Sequence, residues 1–217
     1  MRKNIPKRSL QLALLAVLFA LLAVGGWLYL SKPASEAPAL DRSALSRPYS
    51  PSMGRPDAPV VIVEFFDPAC GTCRSFYPLV KQMMAEHPGR IRLLMRYAPF
   101  HKGSDKVVAL LAAAHNQGQF WPTLEALFAG QDDWASNHTA KIDLAWKYLN
   151  KQDLNLEQLA FDLTSPDIQQ AIEQDLRDAN KLAVSQTPEY FVNGRPLPSF
   201  GFEQLRQLVN EELARNP

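Results

Sequence analysis

The hydrophobic pattern of the chain changes abruptly at a pair of cysteines. Residues 60–66 are β-branched or aromatic apart from one acid, which predicts a buried strand. The dipeptide at 67–68, Asp-Pro, ends this strand. From Cys73 onward, apolar side chains recur at helical spacing through residue 84. Cys70 and Cys73, the only cysteines in the sequence, are therefore predicted where a strand gives way to a helix.

The remaining pattern predicts a mixed α/β domain. A second strand follows the first helix, and a strand, helix, strand order implies a right-handed parallel crossover. A long helical region comes next, and an Asn-Gly dipeptide then marks a tight β-hairpin before a last amphipathic helix. The predicted elements are a strand at 91–97, helices at 105–117, 121–129 and 142–149, a helix from Pro166 capped by Ser165, a hairpin of 190–192 and 195–197, and a helix at 202–215.

The N-terminal segment has the pattern of a membrane anchor. Residues 10–30 are apolar except for Gln11, and at 1.5 Å per residue they would span about 31 Å, the thickness of a bilayer core. Four basic residues precede this run, which predicts a cytoplasmic N-terminus. A cleaved signal peptide is the alternative, but it would have a shorter apolar core and a nearby small-x-small site. We expect an uncleaved single-pass anchor with the body exported, where a disulfide persists.

Composition divides the chain into three parts. Residues 1–30 form the basic N-terminus and anchor, residues 31–55 are rich in Pro, Ser and Ala and predict a flexible tether, and residues 56–217 predict one folded domain. An extended arm lying on the domain is the alternative for the tether. The net charge of +1 includes four basic residues in the anchor segment, so the remainder carries −3. This slightly acidic body argues against nucleic acid as a partner.

The position of the cysteine pair favours redox chemistry. The first turn of a helix has unpaired N–H groups and a positive dipole end, which stabilise a thiolate over a thiol. In known Cys-x-x-Cys proteins the attacking thiol has a pKa of roughly 3.5 to 7.5. We expect Cys70, at the helix start, to be the exposed nucleophile and Cys73, inside the helix, to be the resolving thiol.

The sequence argues against two other roles for the cysteine pair. A zinc site needs about four ligands, and the histidines are scattered singly, at His87, His101, His115 and His138. A structural disulfide closing so short a ring would constrain the unfolded chain very little. The sequence therefore predicts a redox-active dithiol with no metal and no cofactor.

Three motifs resemble the DsbA-like branch of the thioredoxin superfamily. They are Gly-Arg-Pro-Asp-Ala-Pro leading into the strand and Cys-Gly-Thr-Cys (54–73), Gln-Gly-Gln-Phe-Trp (117–121), and Gln-Thr-Pro-Glu-Tyr-Phe-Val-Asn-Gly (186–194). The resemblance covers roughly residues 54–217. It implies a thioredoxin-like fold with a helical domain, at about 102–184, inserted before the last hairpin.

The resemblance also implies further site residues. Thr187 and Pro188 stand where the family has a cis-proline loop that packs beside the cysteines and pairs with substrate. Gly71 and Thr72, between the cysteines, are expected to contact substrate as well. An ordinary trans proline at a strand start is the alternative. Glu64 resembles the buried acid that, in this superfamily, relays a proton to or from the resolving cysteine. The alternative interpretation of Glu64 is a surface acid that faces the edge of the sheet.

The dipeptide between the cysteines bears on the direction of electron flow. It is Gly71-Thr72 and not the Pro-His of strongly oxidising members, so only the Thr72 hydroxyl and backbone N–H groups remain to stabilise the Cys70 thiolate. We expect a reduction potential between roughly −270 and −120 mV. A Gly in this position and a Thr before the cis-proline also occur in isomerases and reductases, and Glu189 is similar to its counterpart in tethered thioredoxins that reduce apocytochrome c.

These observations together predict a thiol–disulfide oxidoreductase held on the periplasmic side of a bacterial inner membrane. We expect it to oxidise the thiols of exported proteins or peptides and to be recycled by a membrane redox partner. The alternatives are a reductase or isomerase, including one of the cytochrome c maturation type, and a non-catalytic chaperone or metal-handling module.

Overall fold

Two parallel strands that flank the first helix form the centre of the fold. The computed structural model describes residues 42–149 and 154–216. Its main sheet has the order β1-β3-β2-β6-β7, and β4 and β5 form a separate two-stranded sheet. The strands are β1 (Ser52–Met53), β2 (Val60–Phe66), β3 (Ile91–Tyr97), β4 (Ala135–Ser136), β5 (Thr139–Ala140), β6 (Glu189–Val192) and β7 (Arg195–Pro196).

The pairing of the strands brings three chain segments to one edge of the sheet. β2 runs parallel to β3, from Val60 opposite Ile91 to Phe66 opposite Tyr97. β6 is antiparallel to β2, so the start of β6 lies beside the end of β2. The predicted Asn-Gly turn between β6 and β7 is confirmed, and both of its residues have positive φ. The ends of β2 and β3 and the start of β6 therefore meet at this edge.

The helices connect and cover the strands, with the inserted helical region between β3 and β6 that the resemblance implied. α1 joins β2 to β3, α2 to α7 form the insertion, and α8 ends the domain. The helices are α1 (Gly71–Glu86), α2 (Ser104–Asn116), α3 (Phe120–Ala129), α4 (Gln131–Trp134), α5 (Ile142–Ala145), α6 (Leu156–Asp162), α7 (Pro166–Lys181) and α8 (Phe202–Arg215).

Because successive side chains of a strand point to opposite faces, β2 contributes to two cores. Ile62 and Phe66 lie in the larger cluster with α1, α2 and α8. Val63 and Phe65 lie in a smaller cluster with the end of α7. β2 is thus buried on both faces, which explains its nearly continuous apolar sequence.

The predicted flexible tether, 31–55, needs a correction in its second half. Residues 42–45 form a 3-10 helix, and Ala44 and Leu45 are buried in the smaller core cluster. β1 then pairs with β3. The packed domain therefore begins before Pro56, because two apolar side chains and a row of edge hydrogen bonds hold this arm on the sheet. Residues 31–41 lie outside the described residues.

Buried charges also fasten this arm and α7 to the sheet. Arg96 of β3 is fully buried and forms salt bridges of 2.7 Å with Asp175 and Asp178 of α7. Arg47 of the arm binds Asp178 at the same distance. The Tyr49 hydroxyl donates to Asp175. Each buried carboxylate is thereby paired, as burial of a charge requires.

Several local predictions in the insertion were wrong. The helix predicted at 142–149 is a single α-turn, α5, followed by a 3-10 turn over Trp146–Tyr148. Ser165 precedes α7 but makes no side-chain capping bond. The short elements α4, β4, β5 and α6 were missed. Elements of two to seven residues show too few periods for their pattern to be recognised.

The predicted anchor, 10–30, lies outside the described residues. Within the part of the chain that the structure describes, no helix combines the length and the apolar character required to cross a membrane.

Candidate active site

The two cysteines lie at the start of α1, as the sequence predicted. Cys70 is the N-cap residue, and its Sγ accepts a hydrogen bond of 3.5 Å from the N–H of Cys73. Both are free thiols. Cys70 was predicted to be exposed, but only 6% of its surface is accessible. It is still the more accessible of the two cysteines, because Cys73 is 0% exposed.

The cover over Cys70 comes from the loop before β6. The Thr187–Pro188 peptide bond is cis, as the resemblance implied. The Cys70 thiol donates a hydrogen bond of 3.2 Å to the carbonyl oxygen of Thr187. This contact arises because β6 enters the sheet beside the end of β2, with Glu189 opposite Phe65. Gly71 is exposed and Thr72 half-buried at the same helix start.

Hydrogen bonds at the helix start favour the thiolate form of Cys70. Hydrogen bonding from the Cys73 thiol is the largest cause, and together with the N–H of Cys73, the Thr187 side chain and the Thr72 N–H it lowers the pKa of Cys70 to about 5. Burial opposes this shift but is outweighed. Thr72 thus acts through its backbone, whereas the sequence reasoning had also assigned a part to its hydroxyl.

Cys73 has the opposite character. Burial raises the pKa of Cys73 well above its ordinary value, and hydrogen bonding to Cys70 and the charges of Glu64 and Cys70 raise it further. These shifts favour, at neutral pH, a Cys70 thiolate, which no longer donates to Thr187, and a Cys73 thiol. This is the asymmetry that an attacking and a resolving cysteine require.

Glu64 is a buried acid in the middle of β2. Its side chain is on the same strand face as Phe66, and the residue is 1% exposed, so it is not an edge-facing surface acid. Burial raises the pKa of Glu64 to about 8, the Tyr190 hydroxyl partly offsets this rise, and the charge of Cys70 adds to it. A carboxyl group with this pKa can both give and take a proton near neutral pH.

Asp67, which the sequence analysis treated only as a strand breaker, organises the loop before Cys70. It is fully buried. One oxygen accepts from the N–H of Ala69 at 2.8 Å. The other accepts from the backbone N–H and Nδ1 of His101, both at 2.8 Å, and from the Ser104 hydroxyl at 3.0 Å. The carboxylate therefore joins the active-site loop to the first residues of the insertion.

Gln131 of α4 is a second residue that sequence reasoning missed. Its buried side-chain amide donates to the carbonyl oxygens of Pro68 at 2.7 Å and Cys70 at 3.0 Å. Gln131 lies in a short helix with no apolar period, so nothing in its local sequence indicated this role. The role of Asp67 could have been predicted from the sequence, because an acid directly after a buried strand needs buried hydrogen-bond donors.

The histidines do not assemble into a metal site. His101 and His138 stack with ring centroids 5.4 Å apart, but His101 is already engaged by Asp67. Across residues 42–149 and 154–216, no group of three or more His, Cys, Asp or Glu side chains is placed to hold a metal ion.

Comparison with known proteins places this geometry in context. The model of the thioredoxin family matches residues 46–211. A probable disulfide bond formation protein D of Bacillus anthracis is 30% identical over 174 residues, covering 76% of this chain and 78% of that protein. A solved thioredoxin-like oxidoreductase from Silicibacter pomeroyi DSS-3 superimposes with a TM-score of 0.68 at 29% identity, covering 82% of this chain and 99% of that one.

A second group of relatives is much longer than this chain. The Na(+)/H(+) antiporter NhaA of Herminiimonas arsenicoxydans is 30% identical over 144 residues, which cover 66% of this chain but 22% of the antiporter. The similarity therefore concerns one part of that protein.

Proposed function

Because this chain belongs to the thioredoxin family and is a DsbA-like thiol–disulfide oxidoreductase, we propose that it uses Cys70 and Cys73 to introduce disulfides into exported proteins. The observation that carries this proposal is the contact between Cys70 and Thr187 at the start of α1. It places a thiol whose pKa is lowered to about 5 beside the loop that carries the cis proline.

The reaction runs through a mixed disulfide. A substrate thiolate attacks Sγ of Cys70 in the oxidised protein, the Cys70–Cys73 bond breaks, and Cys73 leaves as a thiolate that takes a proton from Glu64. A second substrate thiolate then attacks the substrate sulfur of the mixed disulfide. This step forms the substrate disulfide and releases Cys70 as its stabilised thiolate. Two electrons thus pass from the substrate thiols to the Cys70–Cys73 disulfide, which becomes the dithiol.

The low pKa of Cys70 supports the oxidising direction. A thiolate that is stabilised in the reduced protein makes the reduced form more stable, which raises the reduction potential. It also makes Cys70 the better leaving group when the mixed disulfide is resolved. We propose that Thr187, Pro188, Gly71 and Thr72 form the surface that receives the substrate chain next to its cysteine.

A refolding assay tests this function. The oxidised protein is mixed with reduced, denatured ribonuclease, and the return of ribonuclease activity reports disulfide formation. We expect stoichiometric oxidation by the wild type and no activity for Cys70→Ser. For Cys73→Ser, Cys70 is first converted to its mixed disulfide with glutathione; a single-cysteine peptide thiolate should then displace glutathione thiol and remain trapped on Cys70. The control is Ser75→Ala, in the same helix turn and exposed. If the reduced protein instead cleaves insulin disulfides and the oxidised protein leaves ribonuclease unchanged, the protein is a reductase.

The proposed location rests on the sequence and on the name of the relative that forms disulfides. We propose that residues 10–30 remain in the mature protein as a single-pass anchor with the domain outside the cytoplasm. A membrane redox partner would then return the dithiol to the disulfide. Recovery of a water-soluble form beginning near residue 40 would contradict the anchor. Protection of the domain from external protease in spheroplasts would contradict the orientation.

A further inference from the structure

Two buried polar atoms near the cysteines have no hydrogen-bond partner among the described residues. They are Oε2 of Glu64 and the hydroxyl of Tyr190. Tyr190 is 0% exposed and Glu64 is 1% exposed, so neither atom is compensated by bulk water. Buried polar groups in folded proteins are nearly always paired, so two such atoms in one place indicate a functional arrangement.

The strand pairing places these two side chains together. Glu64 of β2 is directly opposite Tyr190 of β6 in the antiparallel register. Directly opposed side chains lie on the same face, with Cβ atoms about 4.5–5.5 Å apart. Phe76 of α1 stacks on the Tyr190 ring, with centroids 6.0 Å apart and an interplanar angle of 22°. The ring is therefore held with its hydroxyl in the region between β2 and the start of α1.

We propose that Tyr190 is a positioning residue for proton transfer at Cys73. In this structure the two groups lie side by side without a hydrogen bond; when Glu64 ionises, the Tyr190 hydroxyl donates to its Oε2 and so stabilises the carboxylate that exchanges a proton with the resolving thiol. This inference rests on the proposed function, because it concerns the step in which Cys73 gains or loses its proton.

Among the groups around Glu64, Tyr190 is the one that favours the ionised form of the acid. From α1, the charge of Cys70 raises the pKa of Glu64, and Cys73 and Tyr77 are coupled to the same acid. From β3, the residue paired with Glu64 is the apolar Met95. Burial and the charge of Glu64 hold the pKa of Tyr190 well above its ordinary value, so its hydroxyl stays a neutral donor.

The step that depends on this pair is the resolution of a mixed disulfide by Cys73. When reduced Cys70 has attacked a partner disulfide, the Cys73 thiol gives its proton to the Glu64 carboxylate. The Cys73 thiolate attacks Sγ of Cys70, the Cys70–Cys73 bond forms, and the partner leaves as a thiolate. Glu64 must therefore be ionised before this step, and the Tyr190 hydrogen bond promotes that ionisation.

The test follows this step in the Tyr190→Phe variant. Reduced protein is mixed with glutathione disulfide, quenched with acid at intervals, and assayed by mass for the glutathione adduct at Cys70. In the wild type we expect the decay of the adduct to accelerate as the pH rises through the pKa of Glu64, which burial raises. In Tyr190→Phe we expect this inflection to move to higher pH by about one unit and the rate at pH 7 to fall roughly 10-fold.

Matched variants separate this role from a packing role. Tyr97→Phe removes another buried tyrosine hydroxyl, from the neighbouring strand, and should leave the inflection in place. Glu64→Gln should abolish the inflection, and adding Tyr190→Phe to it should change nothing further, because the hydroxyl acts only through Glu64. Should Tyr190→Phe fail to fold, 3-fluorotyrosine at position 190 keeps the ring and strengthens the donor, and should move the inflection to lower pH.

The outcomes distinguish this inference from the proposed function. An unchanged inflection in Tyr190→Phe, or in the fluorotyrosine protein, would overturn the role of Tyr190 while the wild type still forms and resolves the adduct. Absence of any Cys70 adduct in the wild type would overturn the proposed function itself.

Discussion

In its protonated form, the Cys70 thiol donates a hydrogen bond to the carbonyl oxygen of Thr187 at 3.2 Å, although 117 residues separate the two in sequence. This contact joins the start of α1 to the loop before β6. It also accounts for the 6% exposure of Cys70, because the loop that carries Thr187 lies over its sulfur.

The first prediction concerns the order of reactivity of the two thiols. In the reduced protein, iodoacetamide should modify Cys70 alone, and its rate should rise as pH increases through about 5 and then level off. Cys73 should stay unmodified at pH 7, because its thiol is buried and its pKa is raised. Peptide mass mapping after brief labelling measures both. Preferential labelling of Cys73 would reverse the assignment of the two roles.

The second prediction concerns Thr72. Thr72→His should lower the pKa of Cys70 further and raise the reduction potential by about 30–60 mV, because one hydrogen bond to a charged group contributes roughly 1.5–3 kcal/mol. Thr72→Ala keeps the backbone N–H that bonds Cys70 and should leave the potential nearly unchanged. Equilibration with glutathione measures both variants. An unchanged potential in Thr72→His would mean that the backbone donors and the Thr187 loop set the potential.

The third prediction concerns Asp67. Asp67→Asn would turn an amide N–H toward donors from Ala69, His101 or Ser104, leaving a buried clash between donors. We expect the free energy of unfolding to fall by about 3–5 kcal/mol, the usual cost of breaking a buried pair. Urea denaturation at pH 7 measures this loss. Asp57→Asn is the control, since Asp57 is exposed and paired with an exposed Arg55. Equal free energies of unfolding for the two variants would show that the Asp67 carboxylate does not stabilise the fold.

The fourth prediction concerns Asp178 and acid. Burial by itself would raise the pKa of Asp178, but hydrogen bonds from Arg47 and Arg96 hold it at about 2, below its ordinary value of 3.8. A depressed pKa in the folded state stabilises the protein above pH 4, and this stabilisation is lost as the pH falls toward 2. It amounts to about 2 kcal/mol for this shift.

Asp178→Asn should therefore remove part of the decline in unfolding free energy between pH 4 and pH 2. Urea denaturation over this range, compared with the wild type, measures the change in slope. Glu173→Gln is the matched control, five residues earlier on the exposed face of α7. If the free energy of unfolding of Asp178→Asn falls between pH 4 and pH 2 as steeply as that of the wild type, other carboxylates cause the acid sensitivity.

The local elements around the site were determined by the sequence. β2, β3 and α8 have the predicted bounds, and α1 begins at the cysteine pair. Each of these elements is long enough to show several periods of its hydrophobic pattern, and the Asn-Gly turn has a local conformational cause. The position of Cys70 at a helix N-terminus, and hence its low pKa, follows from these local signals.

The surroundings of the cysteines were decided by the tertiary structure. Cys70 contacts Gln131 and the Thr187 loop, and Asp67 contacts His101. Tyr190 lies opposite Glu64 in the sheet. These contacts depend on strand register and on how the insertion packs, and a one-residue slip of β6 would turn Tyr190 to the other face. The arm at 42–53 shows the same limit, because its Pro- and Ser-rich composition indicates flexibility while two apolar side chains and a salt bridge hold it. Local sequence thus determined where the thiols lie, and long-range packing decided which groups control their protons.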